Sequence, residues 1–348
     1  MFFSRECLSD LATGKIKGPQ WALLRCCLLF LSLVYGLAVL ILAACYRIKP
    51  VRLGAKTISV GNITLGGTGK TTLVEYLAAK FSSAGSKVAV LTRGYKRSYG
   101  GIGDEPAMLQ GKLPGVAMIV DSNRVRGGCR AIKEHAADLL IMDDGFQQWR
   151  IAKDLEIVTF DAAHPFGNQR LLPAGFLREP LSALKRAEVF FLTQVNLCPD
   201  LAGLTGRLER INPAALIVES RHEPQGLTRL RPGDGALDLA WLNQRAVAIF
   251  CGIGNPGGFK SIISAQGARV FKFFEYDDHH EYTAAELEKM LALVREHKLE
   301  ALITTAKDAV KVKALPVNDP LVMVLEVGLK ITKNEAEFHR RLFKLRPF

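Results

Sequence analysis

A glycine-rich run admits few folds for this chain: Gly61-Asn62-Ile63-Thr64-Leu65-Gly66-Gly67-Thr68-Gly69-Lys70-Thr71-Thr72. Before it lies a β-branched segment, Lys56 to Val60, and after it Leu73 to Phe81, whose apolar residues recur at helical spacing. A strand, a glycine loop ending in Gly-Lys-Thr and a helix together form the context of a P-loop. Gly66, Gly67 and Gly69 let backbone N–H groups turn toward a phosphate, and the helix N-terminus adds a favourable dipole. Lys70 supplies a point charge for the β/γ-phosphates and the Thr71 hydroxyl a ligand for Mg²⁺, so Gly66 through Thr72 are the predicted ATP-binding residues. Thr64 stands where the usual pattern has glycine. The extra lysine of partitioning ATPases would fall at Leu65, which argues against that group.

Further strands are predicted at Lys87–Leu91, Val116–Val120 and Leu139–Met142. Their continuous apolar character, with helical patterns between them, predicts a mostly parallel sheet buried on both faces. Asp143-Asp144-Gly145 follows the last of these, at the strand end where open α/β sheets place ligands, and is a candidate magnesium site. Neither Thr193-Gln194-Val195-Asn196 nor Thr305-Ala306-Lys307-Asp308 makes the set guanine recognition needs, which favours ATP. Near 230–243 the composition turns Gly/Pro/Asp-rich and a second α/β unit begins at Arg245. The expected architecture is α/β: residues 1–54 an N-terminal hydrophobic helix with basic flanks, 55–230 a P-loop NTPase domain, and 231–348 a smaller C-terminal α/β domain. Gly252, Gly254 and Gly257 spell G-x-G-x-x-G, but Pro256 sits where a dinucleotide would need donors, so a strand-to-helix turn is expected.

Between Arg25 and Arg47 lie 21 residues without a formal charge, Cys26 through Tyr46. As a helix they span roughly 32 Å, enough for a hydrocarbon core of about 30 Å. A membrane helix, spanning or embedded, fits better than a buried core helix, because both faces are apolar. Leu42-Ala43-Ala44-Cys45 resembles a lipoprotein processing box, but the long leader and the basic end of the run, Arg47 and Lys49, oppose export. Residues 1–56 carry eight basic and two acidic groups, half of the chain's net +12. That charge suits anionic membrane lipids rather than nucleic acid, which would meet basic residues spread over a folded face. The seven cysteines are scattered and fall in no zinc spacing.

Three other constellations carry possible chemistry. Gly103-Asp104-Glu105-Pro106 places two acids at a helix start. Leu172-Pro173-Ala174-Gly175-Phe176-Leu177-Arg178-Glu179-Pro180 presents Arg178 as a phosphoryl clamp or, more plainly, as an ion pair with Glu179. Asp277-Asp278-His279-His280 precedes a capping box, Thr283 to Glu286, and offers proton-handling groups.

Taken in order, these segments resemble the tetraacyldisaccharide 4′-kinase (lipid A 4′-kinase) family. The likeness runs from Ile58 to Asp308 through Gly61–Thr71, Arg93-Gly94-Tyr95, Gly103–Pro106, Asp143–Gln147, Leu172–Pro180, Asp278–Tyr282 and Thr305–Asp308. It implies an inner-membrane enzyme, active on the cytoplasmic face, that moves the ATP γ-phosphate to the 4′-hydroxyl of an acylated glucosamine disaccharide 1-phosphate. By the same resemblance Asp104 activates that hydroxyl in partnership with His279, with His280 the runner-up. Glu105, Asp143 and Asp144, together with Thr71, are the metal-side groups, and Arg178 contacts phosphate. The connection from Tyr95 to Asp104 is shorter than the family commonly has, and Ala306 stands where an acid is often found. The rival readings are a membrane-tethered ATPase switch and a kinase of another lipid or sugar.

Overall fold

The structure, a computed structural model, describes residues 21–94, 104–230, 236–278, 280–317 and 319–346, with only the backbone of 104 and 105. Along the chain α1 (Ala22–Arg47) precedes β1 (Lys56–Gly61), α2 (Lys70–Ser83), β2 (Val88–Thr92) and α3 (Asp104–Lys112). Then come β3 (Ala117–Val120), α4 (Arg124–His135), β4 (Leu139–Asp143), β5 (Leu155–Asp161), β6 (Val189–Thr193), α5 (Leu201–Ile211) and β7 (Leu216–Arg229). The remainder is β8 (Ala246–Cys251), α6 (Pro256–Ala265), β9 (Arg269–Glu275), α7 (Ala284–Glu296), β10 (Ala301–Thr305), α8 (Ala306–Lys313), β11 (Val322–Lys333) and α9 (Glu335–Phe343).

The chain forms two compact units, each discontinuous in sequence. The first gathers residues up to Arg93, Gly115–Arg221 and Ile331–Phe348. Its sheet runs β3-β2-β4-β1-β5-β6-β7, with each neighbouring pair parallel. Parallel strands need helices on both faces, and the side chains comply: β2, β4 and β6 are buried at every position. One face packs Leu204 and Leu208 of α5 beneath Phe160, Phe190 and Leu192. Elsewhere Ala131 of α4 packs with Ala89, Leu91, Ile119, Leu140 and Met142. The strand order reverses at β1, with β4 and β5 on its two sides, so the loops after β1 and β4 open side by side at the carboxyl edge. C-terminal α9 belongs to this unit, with Phe338 against Phe191 at 5.5 Å between ring centroids.

The second unit joins Gly94–Pro114 to His222–Lys330 around the parallel order β11-β10-β8-β9. Alternation along β8 and β10 divides its core in two. Ala248, Phe250 and Leu302 meet Leu287, Met290 and Leu291 of α7, while Val247, Ile249 and Ile303 meet Phe259 and Ile263 of α6. Helix α3, which carries Asp104 at its first position, packs against α8. Residues 94–114 thus belong to the second unit and 331–348 to the first.

Helix α1 is long and apolar enough to cross a bilayer. Only Ser32, Gly36, Val39 and Ala43 are buried, one stripe at spacings of four and three, while Leu33 and Phe30 keep 72% and 65% of their surface exposed. A core helix would bury far more. The stripe docks on the segment around Leu171: the Ser32 hydroxyl donates to Leu171 O and accepts from Ala174 N–H, and a Cβ on Gly36 would come within 2.7 Å of Leu171.

Candidate active site

The phosphate loop owes its shape to its own polar groups. Gly69 caps α2 at φ +76°, a conformation a side chain resists, and a Cβ there would meet Thr193 at 2.8 Å. The buried Asn62 amide donates to Thr64 O at 2.7 Å and to Gly66 O at 3.4 Å, which curls the loop back. Thr68 is fixed from below, its hydroxyl 2.7 Å from that of Thr159, while the Thr193 hydroxyl donates to Thr68 O. Nothing lies within 4 Å of where side chains on Gly66 and Gly67 would stand, so the loop borders open space at these two residues. Lys70, Thr71 and Thr72 form the first turn of α2 immediately beyond.

A second backbone runs alongside and delivers Arg178. Thr64 and Leu177 form an antiparallel bridge, Leu65 N–H donates to Phe176 O, and Arg178 N–H donates to Ile63 O. The other side of this segment rests on α1, where the Tyr35 hydroxyl donates to Arg178 O at 2.9 Å. Arg178 Nη1 donates to both Asp144 oxygens, at 2.9 and 2.8 Å, and Lys70 Nζ lies 3.5 Å from the same carboxylate. Burial alone would lift the Asp144 carboxyl, but Lys70 and Arg178 outweigh it and hold it below the usual carboxylate range. Two cations and an acid whose carboxyl they hold below its usual range therefore converge at the mouth of the phosphate loop. The plainer expectation, a pair between Arg178 and Glu179, is not what forms: Glu179 turns inward and takes a two-pronged bond from Arg186.

Gln147 ties this cluster together, and no role had been read for it from the sequence. Its carbonyl accepts from Arg178 at 3.4 Å, and its amide donates to Asn62 O at 3.2 Å and to Glu179 at 3.1 Å. It is a positioning residue joining the phosphate loop to Arg178. Gln147→Leu should lower kcat about tenfold, the worth of one or two net hydrogen bonds, with little change in the ATP KM. Gln147→Glu should rescue nothing, since its carboxylate would face Glu179 and Asn62 O, both acceptors. Steady-state kinetics of the two variants tests this. Likewise Ser32→Ala with Tyr35→Phe, which frees the Arg178 segment from α1, should cost about five- to tenfold in kcat. Vesicle binding of that pair should stay as in wild type.

Asp143 is buried at the end of β4, and the buried Arg124 donates to its backbone carbonyl at 3.3 Å and to Asp121 O at 2.6 Å. Nothing local in the sequence marks out Arg124, an arginine in an amphipathic helix; only its burial does. No group of three His, Cys, Asp or Glu side chains among the described residues could hold a metal by itself. A phosphate-loop magnesium does not need one: it takes one or two carboxylates and a hydroxyl, with nucleotide oxygens and water completing six ligands. Thr71, Asp143 and Asp144, hard oxygen donors with one acid held ionised, fit that demand.

In the second unit the loop after β9 is pinned. His280 stacks on Tyr276 with centroids 4.4 Å apart, meets Tyr282 edge-on at 4.9 Å, and places Nε2 3.2 Å from Glu286. Lys311 Nζ donates to His280 O, and Lys307 holds Asp278 at 2.9 Å. The buried Asp308 accepts from the Thr305 hydroxyl and from Gly252 N–H, so this late motif is a structural clasp. His280 is thus engaged in holding the loop. His279 and the side chains of Asp104 and Glu105 lie outside the described residues.

A family model described as tetraacyldisaccharide-1-P 4′-kinase matches residues 24–345. A tetraacyldisaccharide 4′-kinase of Halothermothrix orenii is 34% identical, over 96% of this chain and 97% of its own length. Another, from Anaeromyxobacter sp. strain K, is 36% identical over 93% of this chain and 89% of its own. Among solved structures, LpxK from Aquifex aeolicus in complex with ATP superposes with a TM-score of 0.72 at 28% identity, covering 93% of this chain and all of that one.

Proposed function

The chain belongs to the tetraacyldisaccharide-1-P 4′-kinase family, and from that premise we propose how its residues share the work. The reaction is transfer of the ATP γ-phosphate to the 4′-hydroxyl of a tetraacyl glucosamine disaccharide 1-phosphate, in lipid A synthesis. Phosphoryl transfer asks a protein for alignment and charge neutralisation more than for covalent chemistry. The convergence of Lys70 and Arg178 on Asp144 at the phosphate loop carries the reading. When nucleotide enters, its phosphates compete with Asp144 for both cations: Lys70 turns to the β/γ-oxygens and Arg178 to the transferred group. The carboxylate so released would join Asp143, Glu105 and the Thr71 hydroxyl as the set that would hold Mg²⁺. The metal, when bound, would neutralise charge on the β/γ-oxygens.

Asp104 takes the proton of the acceptor hydroxyl, and His279 orients that carboxylate; both roles rest on the family resemblance. The engagement of His280 with Tyr276, Tyr282 and Glu286 favours His279 of the two. The first unit would serve as the nucleotide-binding body, and the second would supply Asp104 and the Asp-His-His loop. We place α1 in the inner membrane with the catalytic units on the cytoplasmic face, where ATP is available. An acylated acceptor cannot leave the bilayer cheaply, at about 0.8 kcal/mol per buried CH₂, so the enzyme must meet it there.

The test is labelled phosphate transfer from Mg-ATP to the acylated disaccharide 1-phosphate by the detergent-solubilised chain. Label on the 4′ position, lost in Lys70→Ala and Asp104→Ala, is the expected result. ATP turnover without that transfer, and indifferent to Asp104, would move the reading to a membrane-tethered switch.

A further inference from the structure

A cleft of about 690 Å³ lies in the first unit where α1 ends. Leu40, Ala43, Ala44 and Arg47 of α1 form one wall, so the helix that presents apolar residues to its surroundings ends here in a cation. None of the phosphate-loop residues, Asp144 or Arg178 lines it.

The floor is a pair of buried ion pairs already neutralised. Lys153 meets Glu156 at 2.5 Å with side chains 9% and 10% exposed, and Arg186 meets Glu179 at 2.9 Å with 13% and 1%. These cations also grip the far side of the 143–147 loop. Lys153 Nζ donates to Gly145 O at 2.8 Å, and Arg186 Nη2 donates to Phe146 O at 3.4 Å. At the rim the charges are uncommitted: Arg47 and Lys185 are exposed, and neither has an ion pair or hydrogen bond from its side chain among the described residues. The rim acid Glu188 accepts Glu156 N–H at 2.6 Å, so it already has a partner. Trp149 also lines the cleft, and its indole N–H is shut off from solvent with no acceptor among the described residues.

We propose that this cleft is a second lipid site, distinct from the acceptor site, which takes the phosphodiester headgroup of a bilayer phospholipid. It rests on the membrane placement of α1 given above. Two uncommitted cations beside an apolar wall match a phosphate that carries acyl chains: Arg47 and Lys185 meet the anionic oxygens. The chains would lie along the exposed α1 residues Leu37, Leu40 and Ile41, which retain 61%, 51% and 54% of their surface. Inorganic phosphate offers the same headgroup chemistry without those chains, so the two sources can be told apart.

Trp149 is a built-in reporter. With Trp21→Phe and Trp241→Phe in the full chain, phosphatidylglycerol bearing brominated acyl chains, titrated into phosphatidylcholine vesicles, should quench Trp149 saturably by half or more. Arg47→Glu with Lys185→Glu should raise the half-saturating lipid fraction at least tenfold. Ala44→Phe, which narrows the cleft at its α1 wall and keeps the charges, should also weaken quenching at least tenfold in half-saturating lipid fraction, while vesicle co-sedimentation persists in all of these variants. Absence of saturable quenching in a chain that still sediments with vesicles would overturn the proposal, as would quenching indifferent to both changes. Displacement by millimolar inorganic phosphate would assign the cleft to a free anion. Displacement by the acylated disaccharide 1-phosphate at its KM would assign it to the acceptor. Either result overturns the second lipid site. Loss of vesicle binding by the parent chain would instead bring down the membrane placement of α1 on which it rests.

Discussion

Lys70→Ala should lower phosphate transfer by about three orders of magnitude or more, while ATP affinity falls only about tenfold. The asymmetry follows from where the charge is needed. In the ground state the backbone N–H groups at Gly66–Gly69 and the α2 dipole still bind phosphate. In the transition state negative charge spreads over the transferred group and the leaving β-phosphate, and the Lys70 ammonium is the first-turn cation positioned to meet it. Lys70→Arg should not rescue, because a planar fork does not fit a site shaped for a compact ammonium beside Asp144. Labelled transfer and equilibrium ATP binding, measured on the same preparation, separate the two effects. Equal losses in both would show that Lys70 serves binding alone.

The same substitution has a signature in the absence of nucleotide. Asp144 has a depressed carboxyl because Lys70 and Arg178 outweigh its burial. A carboxyl depressed in the folded state stabilises the fold above its unfolded value, and that contribution is lost as pH falls through the folded value. Removing Lys70 brings the folded value up toward the unfolded one, so Lys70→Ala should lose less stability than wild type on acidification, and the loss should end at higher pH. Thermal melts between pH 3 and pH 6 on the two proteins would show whether it does, with pH limits set around the ordinary carboxylate value of about 4.

Local patterns carried much of this fold in the sequence. The strand, glycine loop and helix from Lys56 to Ser83 announce themselves, since turn chemistry and hydrophobic period are both local, and the buried runs at Val88–Thr92 and Leu139–Asp143 could only be central parallel strands. What stayed hidden depends on contacts distant in sequence. Arg178 and Glu179 look like neighbours that would pair, yet one reaches back 34 residues to Asp144 and the other turns to a buried Arg186. Nothing local distinguishes the two, because the split is imposed by the backbone pairing of Leu177 with Thr64. Gln147 is similar: a glutamine after a turn has no visible task until Asn62, Arg178 and Glu179 surround it. The membership of 94–114 and 331–348 is not written locally either, since hydrophobicity alone does not say which core a segment joins.

Asp104→Asn should reduce transfer about 10²- to 10⁴-fold, the range of a lost general base, with ATP binding changed less than about twofold. Asparagine keeps the volume and the helix-start position of Asp104 on α3, so the fold has no reason to change. In the proposed pair the carboxylate takes the proton and the histidine only orients it. His279→Ala should therefore cost less than Asp104→Asn, and the double variant should lose little beyond the single Asp104 change, because residues that act as a unit are not additive. A variant that transfers phosphate to the 4′-hydroxyl at the wild-type rate, or two single losses that simply add, would remove Asp104 from the acceptor side of the reaction.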